Sequence, residues 1–258
     1  MQDLQSEQDH HVLYITFNRI HKHNAFDQAF LQALQILLHQ AEQNDSIRVI
    51  VFKANGPHFC AGADLVWMQT MAQRTQAENQ ADAEILARVM YTLHHSTKAT
   101  IAMVHGAAFG GGAGIVAACD IALAEPSAHF CFSEVKLGLI PAVISPYVIK
   151  AIGERAATWL FMSAETLNAE RAQQLQLIQH IIPSDILLST TQSYAKKLSH
   201  MPPDALKASK ALVRLISQKT IDQSLQTLTA SLIAEKRVSV EGQRGIQAFL
   251  NQQTIDWN

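Results

Sequence analysis

Charge is what this chain has least of. Of its 258 residues only 16% are Asp, Glu, Lys or Arg, and 20 basic side chains nearly cancel 22 acidic ones, leaving a formal net charge of −2. No basic field is available to hold nucleic acid or an anionic membrane surface, so neither is expected as a partner. Cysteine is scarcer still. Cys60, Cys119 and Cys131 are odd in number and sit in apolar contexts, which reads as free thiols in a reducing compartment, the cytoplasm, rather than as disulfides or metal ligands. Long hydrophobic runs are missing as well. The apolar stretches around Ile115 and Leu187 are broken by Asp120 and by the polar residues 189–192, so none is long enough to span a bilayer. The opening Met-Gln-Asp-Leu-Gln-Ser-Glu is polar and acidic, unlike a signal or transit peptide. Histidine, by contrast, is plentiful at 12 residues. Yet His10-His11, His21/His23 and His94-His95 fall in segments that read as turns or exposed helix faces. None has a Cys or carboxylate at zinc-like spacing, so no metal is expected.

What the chain does have is hydrocarbon, 48% of its residues, enough for a large core in one domain with an appendage or in two small domains. Residues 11–18 and 47–54 are rich in β-formers and read as strands. Between them, Asp27 is placed to cap a helix in which Phe30, Leu31, Leu34, Leu37 and Leu38 keep helical spacing. Residues 68–80 are polar and Gln-rich with no apolar stripe, and read as a mobile loop or lid. Residues 83–93 are helical, with Ile85, Leu86, Val89, Met90 and Leu93 on one face. Strands follow at residues 100–104, 121–124 and 128–132. Three strands thus run into turns of small residues, at 51–64, 104–112 and 123–134. That repeat of units points to an α/β spiral of strands with helices outside. Beyond Pro141 the chain is mostly helical, with sharp punctuation at Met201-Pro202-Pro203. Residues 1–198 are read as the core. Residues 199–258 are read as a helical oligomerisation region, since Leu225, Leu228, Leu232 and Ile233 are more apolar positions than a small lobe needs.

The chemistry concentrates at Gly110-Gly111-Gly112, where a strand turns into a helix of small residues. Such a turn leaves free N–H groups at a positive helix end, fit for a phosphate or for an oxyanion formed during a reaction. The phosphate motifs fail. No Lys-Ser/Thr follows Gly112, and a dinucleotide fingerprint started at Gly110 would need a glycine where Ile115 stands. No Gly-x-Ser-x-Gly elbow occurs anywhere. A purely structural role for the glycines, close helix packing, stays open on this ground alone. Two further features favour an oxyanion. The turn Cys60-Ala61-Gly62-Ala63-Asp64 offers a second N–H, at Ala63, at the mouth of another helix. Glu134 follows an apolar strand one rung along, where partial desolvation would raise its pKa toward proton-transfer work. As Ser133-Glu134 it also reads as an ordinary helix start.

Taken together, these stretches resemble one family. Asn18-Arg19, Lys22-His23-Asn24-Ala25, Phe59 through Leu65, Gly106 through Gly112, Asp120-Ile121-Ala122, Phe132 through Pro141, and the closing Glu241-Gly242 with Ala248-Phe249-Leu250 stand in the order and spacing of the crotonase, or enoyl-CoA hydratase/isomerase, superfamily. The resemblance implies a crotonase-like spiral of ββα units with a helical C-terminal region that drives trimers, usually paired into hexamers. It implies an acyl-CoA thioester substrate, no cofactor beyond the coenzyme A of that substrate, and a thioester oxygen held by the N–H groups of Ala63 and Gly111. Lys22, Asn24, Ala25, Ala61, Ala63, Asp64 and Leu65 would line the CoA nucleotide, with Lys22 near a phosphate. Glu134 matches one of the family's two catalytic glutamates. The other belongs where this chain has Gly114. Water addition by one carboxylate, proton transfer in an isomerase, and non-catalytic acyl-CoA binding all follow from that departure, with hydration the first expectation. The words Ala63 through Met68, Gly114 through Ala122 and Pro141 through Val148 are similar to the branch of methylglutaconyl-CoA and isohexenylglutaconyl-CoA hydratases, which serve leucine and acyclic terpene breakdown on substrates carrying their own carboxylate.

Overall fold

The computed structural model describes residues 3–257. The chain enters as a hairpin in which β1 (Leu4–Asp9) runs antiparallel to β2 (Val12–Phe17). β1 is an addition to the sequence reading. Its Leu-Gln-Ser-Glu-Gln-Asp has no β-branched residue, but an edge strand with exposed faces needs only backbone pairing. α1 (Gln28–Gln43) follows, with Asp27 accepting from Phe30 N at 2.9 Å as its cap and Phe30, Leu31, Leu34 and Leu38 buried. β3 (Val49–Ala54) lies parallel to β2.

The expected lid is a correction. Residues 68–80 fall within α2 (Leu65–Met71) and the start of α3 (Gln76–His95), joined by a tight turn. Thr75 and Glu78 form a reciprocal capping box, and the Gln, Ala and Glu residues beyond it are good helix formers. An apolar stripe is missing there because these first turns are almost wholly exposed; the buried face begins at Asp82 and Ile85.

β4 (Ala99–Val104) then leads to β5 (Ala107–Phe109) and α4 (Gly111–Ala118), and β6 (Ile121–Ala124) to β7 (His129–Cys131) and a 3-10 turn, Glu134–Leu137. α5 (Ser145–Ile152), α6 (Glu154–Ser163), β8 (Leu167–Asn168), α7 (Ala169–Gln174), β9 (His180–Ile181) and α8 (Leu187–Ser199) complete the core. The large sheet has the order β1-β2-β3-β4-β6-β9, parallel apart from the opening hairpin, and the small one the order β5-β7-β8. Isolated bridges between Phe26 and Ala63 and between Cys60 and Ala108 carry the small sheet's pairing into the earlier turns of the chain. Each turn therefore adds a strand to the large sheet, an extended segment against the small one, and a helix outside. This is the ββα spiral the sequence suggested.

The large sheet is covered on both sides, which is why β2 and β4 are buried at every position rather than alternating. Leu13, Ile15, Phe17, Ile50 and Phe52 face the main core with the helices. Tyr14, Val49, Val51, Ile101 and Leu123 face Leu187 and Ala195 of α8.

α9 (Pro203–Ile216), α10 (Gln223–Val238) and α11 (Val240–Leu250) form the C-terminal region. α9 is tied to the core by a 2.6 Å ion pair between Lys210 and Asp120 and by Arg214, which donates to the carbonyls of His94 and Ser96. α10 buries no side chain and α11 only Ala248. Ile221, Val240 and Phe249 are more than 80% exposed. No helix among the described residues is long and apolar enough to cross a membrane.

Candidate active site

The site is built where three successive turns of the spiral leave the small sheet. At the first, Phe26 N donates to Gly62 O and Asp64 N donates to Phe26 O, both at 2.9 Å. These bonds clamp the residues on either side of Ala63. The N–H of Ala63 therefore points away from Phe26 and has no acceptor among the described residues. At the second turn, Phe109 N donates to Cys60 O at 2.9 Å and Gly110 N to Cys131 O at 2.8 Å. Gly110 then takes φ 50° and ψ −122°, a conformation open to glycine, and reverses the chain into α4. Gly111 is the first helical residue, and its N–H also lacks an acceptor among the described residues. At Gly111 the backbone comes so near Phe26 that a Cβ would overlap Phe26 Cζ. Phe26 thus lies under both turns, bonded to one and packed against the other.

Glu134 stands at the third turn. It opens the 3-10 turn after β7 and reaches back over Gly110, where a Cβ would come within 3.1 Å of Glu134 Oε1. Its Oε2 is buried with no hydrogen-bond partner among the described residues. Burial raises the Glu134 pKa, against a smaller opposing pull from its own backbone N–H. A carboxylate with a free buried oxygen, beside two turns with free N–H groups, can take up and return a proton while negative charge on a neighbouring oxygen is stabilised.

The loops expected to line a nucleotide meet each other: Ala61 N donates to His23 O at 3.0 Å, which joins residues 22–25 to residues 60–65. Their side chains are not equally free. Asn24 is fully buried, with Oδ1 accepting from Arg19 N and Nδ2 donating to the carbonyls of Asn55 and His58, each at 2.8 Å. It holds the loop in shape and tolerates φ 57° as asparagine does. Asp64, 3% exposed, caps α2 through Val66 N and Trp67 N and pairs with Arg19 at 3.2 Å and Lys22 at 3.4 Å. Its burial would raise its pKa, but the two N–H donors and the two cations outweigh that and hold it below the usual range. Ala25 is buried, Ala61 and Ala63 are half-buried, and Leu65 is exposed. Cys60, in the same turn, has its thiol pushed up to about 12 by burial, so it offers no thiolate nucleophile.

Three residues of the site were not singled out from sequence. Arg19 carries the loops on a fan of ion pairs to Asp3, Asp27 and Asp64. Phe26 is the shared floor of the two turns. Ile144 packs against Gly114, where a Cβ would overlap Ile144 Cγ2 and lie 2.8 Å from Ile144 Cβ. Arg19 lies in the Asn18-Arg19 stretch that carried the resemblance, but its ion pairs, like the contacts of the other two, join residues distant in sequence. Among the described residues no group of three or more His, Cys, Asp or Glu side chains is arranged to hold a metal ion.

The chain is similar to known proteins along nearly its whole length. The sequence model of the family described as enoyl-CoA hydratase/isomerase matches residues 7–258. The 2,3-dehydroadipyl-CoA hydratase of Escherichia coli is 32% identical, covering 100% of this chain and 99% of that protein. The hydroxycinnamoyl-CoA hydratase-lyase of Pseudomonas fluorescens is 27% identical over 95% of this chain and 90% of its own. Among solved structures, a Legionella pneumophila protein described as a candidate enoyl CoA hydratase/isomerase (crotonase) superposes with a TM-score of 0.97 at 57% identity, covering 99% of both chains. An enoyl-CoA hydratase from Shewanella pealeana gives a TM-score of 0.95 at 40% identity, over 99% of this chain and 96% of that one.

Proposed function

The chain belongs to the enoyl-CoA hydratase/isomerase family, and from that premise we propose that it hydrates an enoyl-CoA thioester with Glu134 as its sole acid/base group. The observation that carries this is the buried, unpartnered Glu134 Oε2 beside two turns whose Ala63 and Gly111 N–H groups are free. The thioester oxygen accepts from those two N–H groups. Water adds its oxygen to Cβ as the Cα–Cβ π bond breaks. The electron pair moves onto the thioester oxygen, and a water proton passes to Glu134. The enolate then collapses, Glu134 returns a proton to Cα on the same face, and the net change is one water added.

Coenzyme A lies along residues 22–25 and 60–65 on this reading. Lys22 is its phosphate neighbour, and the backbone of Ala25, Ala61, Ala63 and Leu65 is its wall. Asn24 and Asp64 act by shaping those loops. The acyl chain carries its own carboxylate, a reading supported by the E. coli relative, whose name denotes a dicarboxylic acyl group. The exposed apolar faces of α10 and α11 support a homotrimer or a pair of trimers. A chain sedimenting as a monomer at micromolar concentration would contradict that. The free thiols support a cytoplasmic setting.

One observation favours a second reading, a Δ3,Δ2-enoyl-CoA isomerase: the atoms nearest a Cβ at Gly114 are hydrocarbon of Ile144 and the terminal methyl of Met90. Product mass separates the two on a panel containing crotonyl-CoA and branched dicarboxylic enoyl-CoA thioesters. Hydration adds the mass of one water, with the dicarboxylic substrates faster. A product of unchanged mass with a shifted double bond would overturn hydration, and equal rates on both substrate types would overturn the carboxylate preference.

A further inference from the structure

Gly110, the residue that caps the start of α4, lies one turn before Gly114, whose N–H donates to its carbonyl at 3.0 Å. Glu134 packs over the first and Ile144, the residue preceding α5, over the second. Gly114 is buried, Ile144 is 2% exposed and Met90 is fully buried. A Cβ on Gly114 would overlap Ile144 Cγ2 and lie 3.4 Å from Met90 Cε. The place that a side chain from position 114 would enter is therefore already packed with isoleucine and methionine.

We propose that Ile144 sets the reaction specificity of this site: by filling the space beside Gly114 it denies the site a second proton-transfer group and confines proton movement to Glu134. The inference rests on the reading of Glu134 given above and adds what enforces it. Gly114 and Ile144 are one steric unit. Glycine at 114 is required by Ile144, and a carboxylate at 114 would need Ile144 to leave. A hydrocarbon wall also holds no water of its own. On this reading the reacting water is one held by Glu134, and a substrate that needs no water, only a proton moved between two of its carbons, meets no obstacle. Ile144 is a positioning residue here, acting through the space it occupies.

The test is a cycle of Gly114→Glu, Ile144→Gly and the double variant, each in the parent and in a Glu134→Gln background. It reads crotonyl-CoA hydration across pH together with thermal melting. Gly114→Glu alone should melt below the parent and hydrate no faster, because its carboxylate has no room. The double variant should gain on the order of 10² to 10⁴ in hydration rate, the usual yield of one positioned acid/base group, and show a second ionisation in its pH profile. If the double variant fails to fold, Gly114→Asp with Ile144→Ala places a shorter carboxylate in a smaller cavity and carries the same expectation. A full gain from Gly114→Glu alone, or a folded double variant with unchanged rate and a single ionisation, would overturn the proposal. Failure of the underlying reading looks different: Glu134→Gln would then leave turnover of the parent chain intact.

Discussion

Replacing Gly111 with proline and, separately, with alanine isolates the contribution of one backbone N–H. Both substitutions add a Cβ that must displace Phe26 Cζ, so they share that packing penalty, about 1–3 kcal/mol of stability for an overfilled core. Only proline removes the N–H. Three features let the fold accept it. Gly111 is the first residue of α4, the helical position proline tolerates best. Its N–H bonds to nothing among the described residues, so no structural hydrogen bond is lost. Gly110, at φ 50° and ψ −122°, has the mirror image of the extended conformation that residues before proline adopt, which glycine reaches without strain. Loss of one oxyanion donor costs about 10² to 10³ in kcat, roughly 3 kcal/mol. The kcat ratio of Gly111→Ala to Gly111→Pro, measured with crotonyl-CoA or a dicarboxylic enoyl-CoA on proteins matched by thermal melt, should therefore be on the order of 10² or more. Truncating Phe26 to leucine in both proteins relieves the shared clash and should leave that ratio in place. Equal kcat in the two variants would refute the assignment of the Gly111 N–H to the thioester oxygen.

Two further outcomes concern stability. Burial raises the folded-state pKa of Glu134, so its ionisation weakens the fold as pH rises through that value; Glu134→Gln should melt above the parent near neutral pH, with the advantage vanishing as pH falls below the ordinary carboxylate range. Equal melting temperatures at pH 7 would mean the carboxylate is solvated. The folded pKa of Asp64 is lowered instead, so its contribution is present above its unfolded pKa and lost as pH falls through the folded one. Asp64→Ala should cost about 3 kcal/mol in urea unfolding at pH 7, from a lost cap and a broken buried pair, moderated because Arg19 keeps Asp27 at 2.6 Å and Asp3 at 3.2 Å. That deficit should shrink on acidification, and a deficit constant with pH would contradict the ion-pair account.

The spiral was legible in the sequence because its strands and small-residue turns recur as local patterns: residues 47–54, 100–104 and 121–124 are short, largely apolar runs wherever they sit in the fold. Asp27 and the leucines of α1 were legible for the same reason. What sequence patterning lost is what tertiary context decides. β1 is polar and exists because β2 lies beside it. Residues 68–80 lack an apolar stripe because their helical turns face outward, and the Thr75–Glu78 box was the available clue. β5 was hidden inside the glycine stretch, since Ala107-Ala108-Phe109 is too short to show a period. At the site, the glycines and Glu134 drew notice through their residue types. Phe26 and Ile144 did not, because each matters only through a glycine far away in sequence. Gly114 looked like a missing acid when read along the chain. In three dimensions it is a filled space.

The central claim is that Glu134 carries the proton chemistry alone. The measurement that tests it most directly is kcat of Glu134→Gln on the best substrate of the enoyl-CoA panel, taken beside the affinity of the same protein for coenzyme A. A neutral amide of the same shape keeps the loops of residues 22–25 and 60–65 intact, so binding should match the parent. Turnover should fall by on the order of 10² to 10⁴, the worth of one acid/base group. Turnover within a few-fold of the parent, with binding retained, would contradict the account.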